Sequence, residues 1–172
     1  MREITVVTKV YKFEELSDKG KEKALENLWD LNVDYEWWEG VYEDAAQIEM
    51  DITEFDLDQK RYCNAKIPLP LETARLILEN HGETCDTYKL AKEFLNGVEK
   101  AESSAQNCFF EVYDEYKLEG EIEDLEATFK KVLCKEYASM LQKEYEYLTS
   151  KEGILESIES NDYDFTEDGE IF

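Results

Sequence analysis

Residues 122–148, IEDLEATFKKVLCKEYASMLQKEYEYL, contain neither Gly nor Pro and set Leu125, Phe129, Val132, Leu133, Met140 and Leu141 at helical spacing. Residues three or four apart share one face of an α-helix, so this stretch predicts a single long helix with one buried stripe. Beyond it, Ser150 is placed to cap a short helix reaching residue 160. Asp168-Gly169 is a favoured turn pair and predicts a hairpin within 162–172. On the other side, residues 109–118 hold Phe109, Phe110, Val112, Tyr113 and Tyr116, which satisfy parts of both the strand and the helix template; helix is the reading preferred.

The first third of the chain mixes periods. Residues 4–13 are β-branched and aromatic, alternate from Val6 onward, and predict a strand whose core face includes Val6 and Val10. Ser17 is placed as an N-cap, with Asp18 in the first turn and Ala24, Leu25, Leu28 and Leu31 as an apolar stripe. A second helix is expected over 34–50. At 100° per residue, Trp37, Trp38, Val41, Tyr42, Ala45 and Ile48 fall in one sector, with Glu36, Glu39 and Glu43 on the opposite one. Residues 52–57 and 61–67 read as two strands joined by the polar turn at 58–60. Pro68 and Pro70 close that unit, short helices follow over 71–80 and 87–102, and Gly82 stops the first of them. The fold class is α+β: mostly helical, with a small antiparallel sheet from the N-terminal strand, the central hairpin and the C-terminal hairpin packed against helices. At 172 residues a single domain spanning 1–172 is expected.

Charge sets the functional expectations. Between Lys23 and Lys60, 36 consecutive residues carry 12 Asp and Glu and no Lys or Arg, within a chain of net charge −24. Such a molecule repels nucleic acid and anionic lipid and attracts basic protein surfaces. Aromatic residues make up 13% of the chain, which argues for a folded body rather than a disordered acidic tail. Cys63, Cys85, Cys108 and Cys134 are widely spaced without a C-x-x-C pair, no signal-peptide core opens the chain, and no apolar run suits a membrane span. Reduced thiols in a cytoplasm are the expectation.

Motifs for catalysis or metal binding are weak. His81, in Asn80-His81-Gly82, is the one histidine and reads as a surface or capping residue. Asp56 and Asp58 lie on one face of the expected strand, as solvated residues or as a cation pair. An EF-hand at Asp162, Asp164 and Asp168 fails because its sixth position is Glu167 where Gly is required. No cysteine and histidine spacing suits zinc, and no Gly-rich phosphate loop occurs. No catalytic residue, metal or cofactor is expected, and Trp37 and Trp38 read as core anchors.

Several stretches carry a resemblance: YKFEELS at 11–17 with Lys21-Glu22-Lys23-Ala24, DYEWWEGVYEDA at 34–45, FDLD at 55–58 followed by Arg61-Tyr62-Cys63, YEYLT at 145–149 and YDFTEDG at 163–169. Together they resemble a family of small acidic proteins encoded by bacteriophages and prophages. The resemblance supplies no catalytic residue; it implies a phage protein in the host cytoplasm, for which blocking a host defence is a common role. On a helix, carboxylates four residues apart rise by about 6 Å, a spacing that can imitate a row of phosphates. The expectation is a non-enzymatic, anti-CRISPR or anti-restriction type of inhibitor. It would present Glu36, Glu39, Glu43, Asp44, Asp51, Asp56 and Asp58 to a basic nucleic-acid-binding host protein or complex, binding neither nucleic acid nor membrane itself. Two alternatives stay open: an acidic skin that serves solubility alone, and an antitoxin-like or assembly module that binds through apolar surface. The latter would use Tyr137, Tyr145 or Tyr147, or form a homodimer on the long C-terminal helix.

Overall fold

The computed structural model describes residues 1–4, 7–107 and 115–172. Among them are six α-helices and a two-stranded antiparallel sheet: α1 (Asp18–Asn27), α2 (Glu39–Gln47), β1 (Asp51–Asp56), β2 (Tyr62–Lys66), α3 (Pro70–Asn80), α4 (Asp86–Asn107), α5 (Glu115–Leu148) and α6 (Lys151–Ser160). This is a mostly helical α+β fold. Its contacts gather into two compact units, Met1–Trp37 with Lys143–Phe172, and Trp38–Gln142. No helix among the described residues is long and apolar enough to cross a membrane.

The first unit is built on two serine caps. Ser17 accepts from the Gly20 N–H at the start of α1, and Ser150 accepts from the Gly153 N–H at the start of α6. Each satisfies a backbone donor that the first turn leaves unpaired. Leu16, Ala24, Leu28, Ile154, Ile158 and Phe165 then bury together, with Phe165 fully enclosed. Asn32 closes this unit: its Nδ2 donates to the carbonyls of Leu148 at 3.0 Å and Gly153 at 3.2 Å, and its Oδ1 accepts from Ser157 Oγ at 2.6 Å. A buried amide satisfied on both ends fixes the position of three chain segments at once. Gly153 is required there because a Cβ would run into the Tyr147 carbonyl oxygen.

The N-terminal strand expected over 4–13 is not present among the described residues. Ile4 and Val7 are both 86% exposed and Val10 is exposed as well, while Val6 lies outside the described residues. Among its described residues the alternating stretch finds a partner at one position, Tyr11, which exchanges both backbone hydrogen bonds with Phe165. A strand needs a neighbouring edge along its length, and the described part of this stretch has a single bridge. The C-terminal hairpin is likewise reduced to a bridge between Phe165 and Ile171 around a turn, with Gly169 at φ 82°. That left-handed position suits glycine, and a Cβ would also meet the Gly20 carbonyl oxygen.

The second unit holds the hairpin and α2 through α4, with α5 up to Gln142. The strands pair Asp51 with Lys66 and Asp56 with Tyr62, and the register slips between Ile52 and Glu54. Thr53 occupies the slip and its Oγ1 donates to the Asn64 carbonyl at 3.1 Å. The extra residue resets which side chains face inward, so buried Ile52 and half-buried Phe55 are three residues apart rather than two. Phe94 of α4 stacks on Phe129 of α5, with ring centroids 4.5 Å apart. In α5, Phe129, Leu133 and Leu141 of the expected stripe are buried, and Tyr137 and Ala138 join them. α3 ends at Asn80 because His81 turns extended, with its N–H on the Ile77 carbonyl, and not through a left-handed Gly82. Within the ambiguous 109–118 segment, residues 115–118 are helical and 109–114 lie outside the described residues.

Two predictions follow from these cores. Replacing Asn32 by Ala leaves two carbonyls and a hydroxyl without their partner and lowers unfolding stability by about 2 kcal/mol or more in urea titrations, against less than about 0.5 kcal/mol for the exposed Asn27→Ala. Burial pushes the Cys63 thiol up to about 12, with Cys134 nearby adding to the effect, whereas Cys85 is exposed. A thiol reagent at pH 8 therefore modifies Cys85 well before Cys63, as peptide mapping of the native protein would read. Because the fold holds the Cys63 proton more tightly than the unfolded chain does, this group's contribution is intact below pH 9 and is lost as pH rises from 9 toward about 12.

Candidate functional site

The acidic stretch is carried by α2, the hairpin and the segment leading into them. The helix expected over 34–50 is shorter, running from Glu39 to Gln47. Tyr35, Trp37 and Trp38 are indifferent helix formers. Trp37 packs tilted against Tyr145 with centroids 5.4 Å apart, whereas Trp38 packs edge-on at 5.7 Å against Phe55. One continuous helix would have held both indoles on one face. Glu36 therefore sits outside the helix, in the first unit, and the expected row of Glu36, Glu39 and Glu43 on a single helix is broken. At the other end α2 stops at Gln47, and Glu49 takes a left-handed φ of 57° while the Met50 N–H reaches back to the Ala45 carbonyl.

Glu39 and Glu43 remain as a pair one turn apart. Both are exposed, and among the described residues neither has an ion-pair partner. Like charges four residues apart on a helix cost a few tenths of a kcal/mol rather than stabilising it. Ala45 and Ile48 on the inner face are fully buried and hold α2 in this orientation.

Asp44, the next residue, behaves differently. Its Oδ2 accepts from the Tyr137 hydroxyl at 2.7 Å, and its Oδ1 lies 3.7 Å from His81 Nε2. The side chain is 36% exposed, so the carboxylate is turned inward at one oxygen and reaches solvent at its edge. Burial first, and the Asp44 hydrogen bond second, push the Tyr137 hydroxyl far above its ordinary value, so it stays a donor. His81 is not a surface residue: its side chain is 9% exposed and Nδ1 lies 2.7 Å from Thr87 Oγ1. The series Thr87, His81, Asp44 has the order of a nucleophile, a base and its orienting acid, yet Thr87 is itself 5% exposed and shielded from any substrate. It fixes α2, α3, α4 and α5 to one another.

On the hairpin, Asp51 is exposed and pairs with Lys66 at 3.5 Å. Asp56 and Asp58 do not share a strand face. β1 ends at Asp56, whose Oδ1 accepts the Asp58 N–H at 2.8 Å, a side chain closing the turn. Asp58 is exposed and Asp56 half-buried. Thus Glu39, Glu43, Asp51 and Asp58 face solvent within one unit, Asp56 shapes the turn, Asp44 belongs to the interior network, and Glu36 lies elsewhere. Among the described residues no group of three or more His, Cys, Asp or Glu is placed to hold a metal ion. Of the tyrosines expected on an apolar binding surface, Tyr137 is fully buried, Tyr145 packs on Trp37, and Tyr147 is 42% exposed. Comparison with known proteins finds no matching family model, curated protein or solved structure.

Neighbouring acids should separate in effect. Tyr137→Phe or Asp44→Asn lowers unfolding stability by about 1–2 kcal/mol through the lost charged hydrogen bond, whereas Glu43→Gln leaves it unchanged or slightly higher, as read from urea midpoints.

Proposed function

We propose that the protein is a non-enzymatic inhibitor, encoded by a phage and acting in the host cytoplasm, which occupies the basic nucleic-acid groove of a host defence nuclease or its complex. The observation that carries this reading is the Glu39 and Glu43 pair: exposed, repeated at one helical turn, and unneutralised among the described residues. Asp51 and Asp58 extend the same unit's anionic surface onto the hairpin. A carboxylate row on a rigid support meets a cationic groove without first losing the chain entropy that a flexible acidic tail would lose. The net charge of −24 adds long-range steering toward such a groove.

Salt tests this reading. Tagged protein mixed with host lysate is expected to retain a nucleic-acid-binding protein at about 0.05 M salt, free of its DNA or RNA, and to release it at about 0.5 M. Glu39→Gln combined with Glu43→Gln keeps the shape of α2 and should weaken that capture at least about tenfold. Retention of the partner by the double variant, or a partner still holding its nucleic acid, would contradict the assignment.

A second reading, a module that binds a protein partner through apolar surface, has one observation in its favour. Between α4 and α5 lies a groove of about 630 Å³ lined by Leu90, Phe94, Ala101, Leu125 and Phe129. Binding there would be nearly indifferent to salt, so the same experiment distinguishes the two.

A further inference from the structure

Two stretches of this acidic chain contain no acid at all. Residues 59–71 carry Lys60, Arg61 and Lys66, and residues 127–135 carry Lys130, Lys131 and Lys135. The fold brings them together: the hairpin and α5 line an open pocket of about 660 Å³ in the second unit, whose lining includes Arg61, Lys130, Lys131 and Lys135 and, among the described residues, no Asp or Glu. Four of the chain's 19 Lys and Arg thus converge on one concavity. Tyr62 and Asn64 also line it, with the Tyr62 hydroxyl and the Asn64 amide donating to Glu54.

These cations are spare. With 43 carboxylates in the chain, a Lys or Arg has abundant opportunity to pair. Yet among the described residues Arg61, Lys131 and Lys135 have no ion-pair partner, and Lys130 has a loose one, Glu126 at 3.8 Å. On the hairpin, Glu54 accepts from Tyr62 Oη at 2.8 Å and from Asn64 Nδ2 at 3.3 Å and makes no ion pair with these cations. Lys131 and Lys135 stand one turn apart on α5, so both ammonium groups lie on one face, and mutual repulsion there goes uncompensated. Arg61 adopts a left-handed φ of 45° where the chain enters β2, a conformation that costs about 1 kcal/mol or more for a residue with a Cβ.

We propose that this cavity binds a small ligand carrying two or more adjacent phosphate groups, such as a nucleoside di- or triphosphate. Its volume lies within the usual range for small-molecule sites, and four cations on two elements suit several phosphoryl oxygens better than a single phosphate. A long nucleic acid is disfavoured because its charge would extend past the cavity into the field of a molecule of net charge −24. A small ligand lies within about one Debye length of the four cations, and the more distant carboxylates are screened. Neither Glu39 nor Glu43 lines this pocket, and the proposal does not depend on the inhibitor reading.

Isothermal titration of the full chain at about 0.1 M salt with tripolyphosphate, ATP, inorganic phosphate and a short single-stranded DNA tests it. Tripolyphosphate and ATP should bind, with inorganic phosphate at least about tenfold weaker. Lys131→Ala with Lys135→Ala, which raises helix propensity and so preserves α5, should weaken tripolyphosphate at least about tenfold. Arg61→Ala should weaken it from the hairpin side. The pair Lys19→Ala with Lys92→Ala removes the same charge from exposed positions elsewhere and should leave binding unchanged. The proposal is overturned if the wild type shows no binding up to about 10 mM, if the two double variants lose affinity equally, or if only the DNA binds.

Discussion

This chain has to close against its own charge. Forty-three carboxylates face 19 Lys and Arg, and no α-helix whose last turn is described has a basic residue there to complement its dipole. Folding must therefore draw on burial and on a few well-placed hydrogen bonds. Each compact unit has a device of that kind. In the first, Asn32 ties the end of α5 and the start of α6 to the turn after α1. In the second, Tyr137 holds Asp44 from a fully buried position while His81 is fixed by Thr87. Lys12 supplies a dense ionic contact, reaching Asp162 at 2.8 Å and Asp164 at 2.9 Å and thereby anchoring the segment around the Tyr11 and Phe165 bridge.

Once these devices hold the fold, the remaining carboxylates are surplus to it. That division gives the acidic surface its meaning. Asp44 and Glu43 are adjacent in sequence and chemically alike, yet one is bound into the interior and the other is left facing water. The cations divide in the same way. Lys12, Lys66 and Lys89 meet carboxylates, whereas Arg61, Lys131 and Lys135 gather around a pocket with no Asp or Glu among its described lining residues. Charge in this protein is sorted by position and not spread evenly, and sorted charge is what a binding surface requires.

Local signals were readable in the sequence where the physics is local. Ser17 and Ser150 announce their helices, the helix expected over 71–80 matches α3 to within one residue, and the Gly- and Pro-free run to Leu148 announces α5. Features that need a distant partner were not readable. The alternation at 4–13 reads as a strand, but among its described residues only Tyr11 has a bridge partner. The start of α2 depended on Trp37 and Trp38 finding separate partners. Within the acidic stretch, the inward turn of Asp44 is not readable from the sequence, because the Tyr137 hydroxyl lies 93 residues away. Tyr137 was read as a surface candidate, since a tyrosine on a mixed face gives no sign of full burial. The basic cavity did leave a trace in the acid-free stretches at 59–71 and 127–135, but their meeting is set by the fold.

Exposed carboxylates such as Glu39 and Glu43 have no ion-pair partner among the described residues, and in the folded state they repel one another. The thermal midpoint of the full chain, followed by circular dichroism from about 0.01 to 0.5 M sodium chloride, reads this directly. Unpaired carboxylates predict a midpoint that climbs steeply over the first about 0.2 M and then levels as screening saturates. A midpoint that stays flat or falls with added salt would mean that ion pairs neutralise the surface, and would contradict the account.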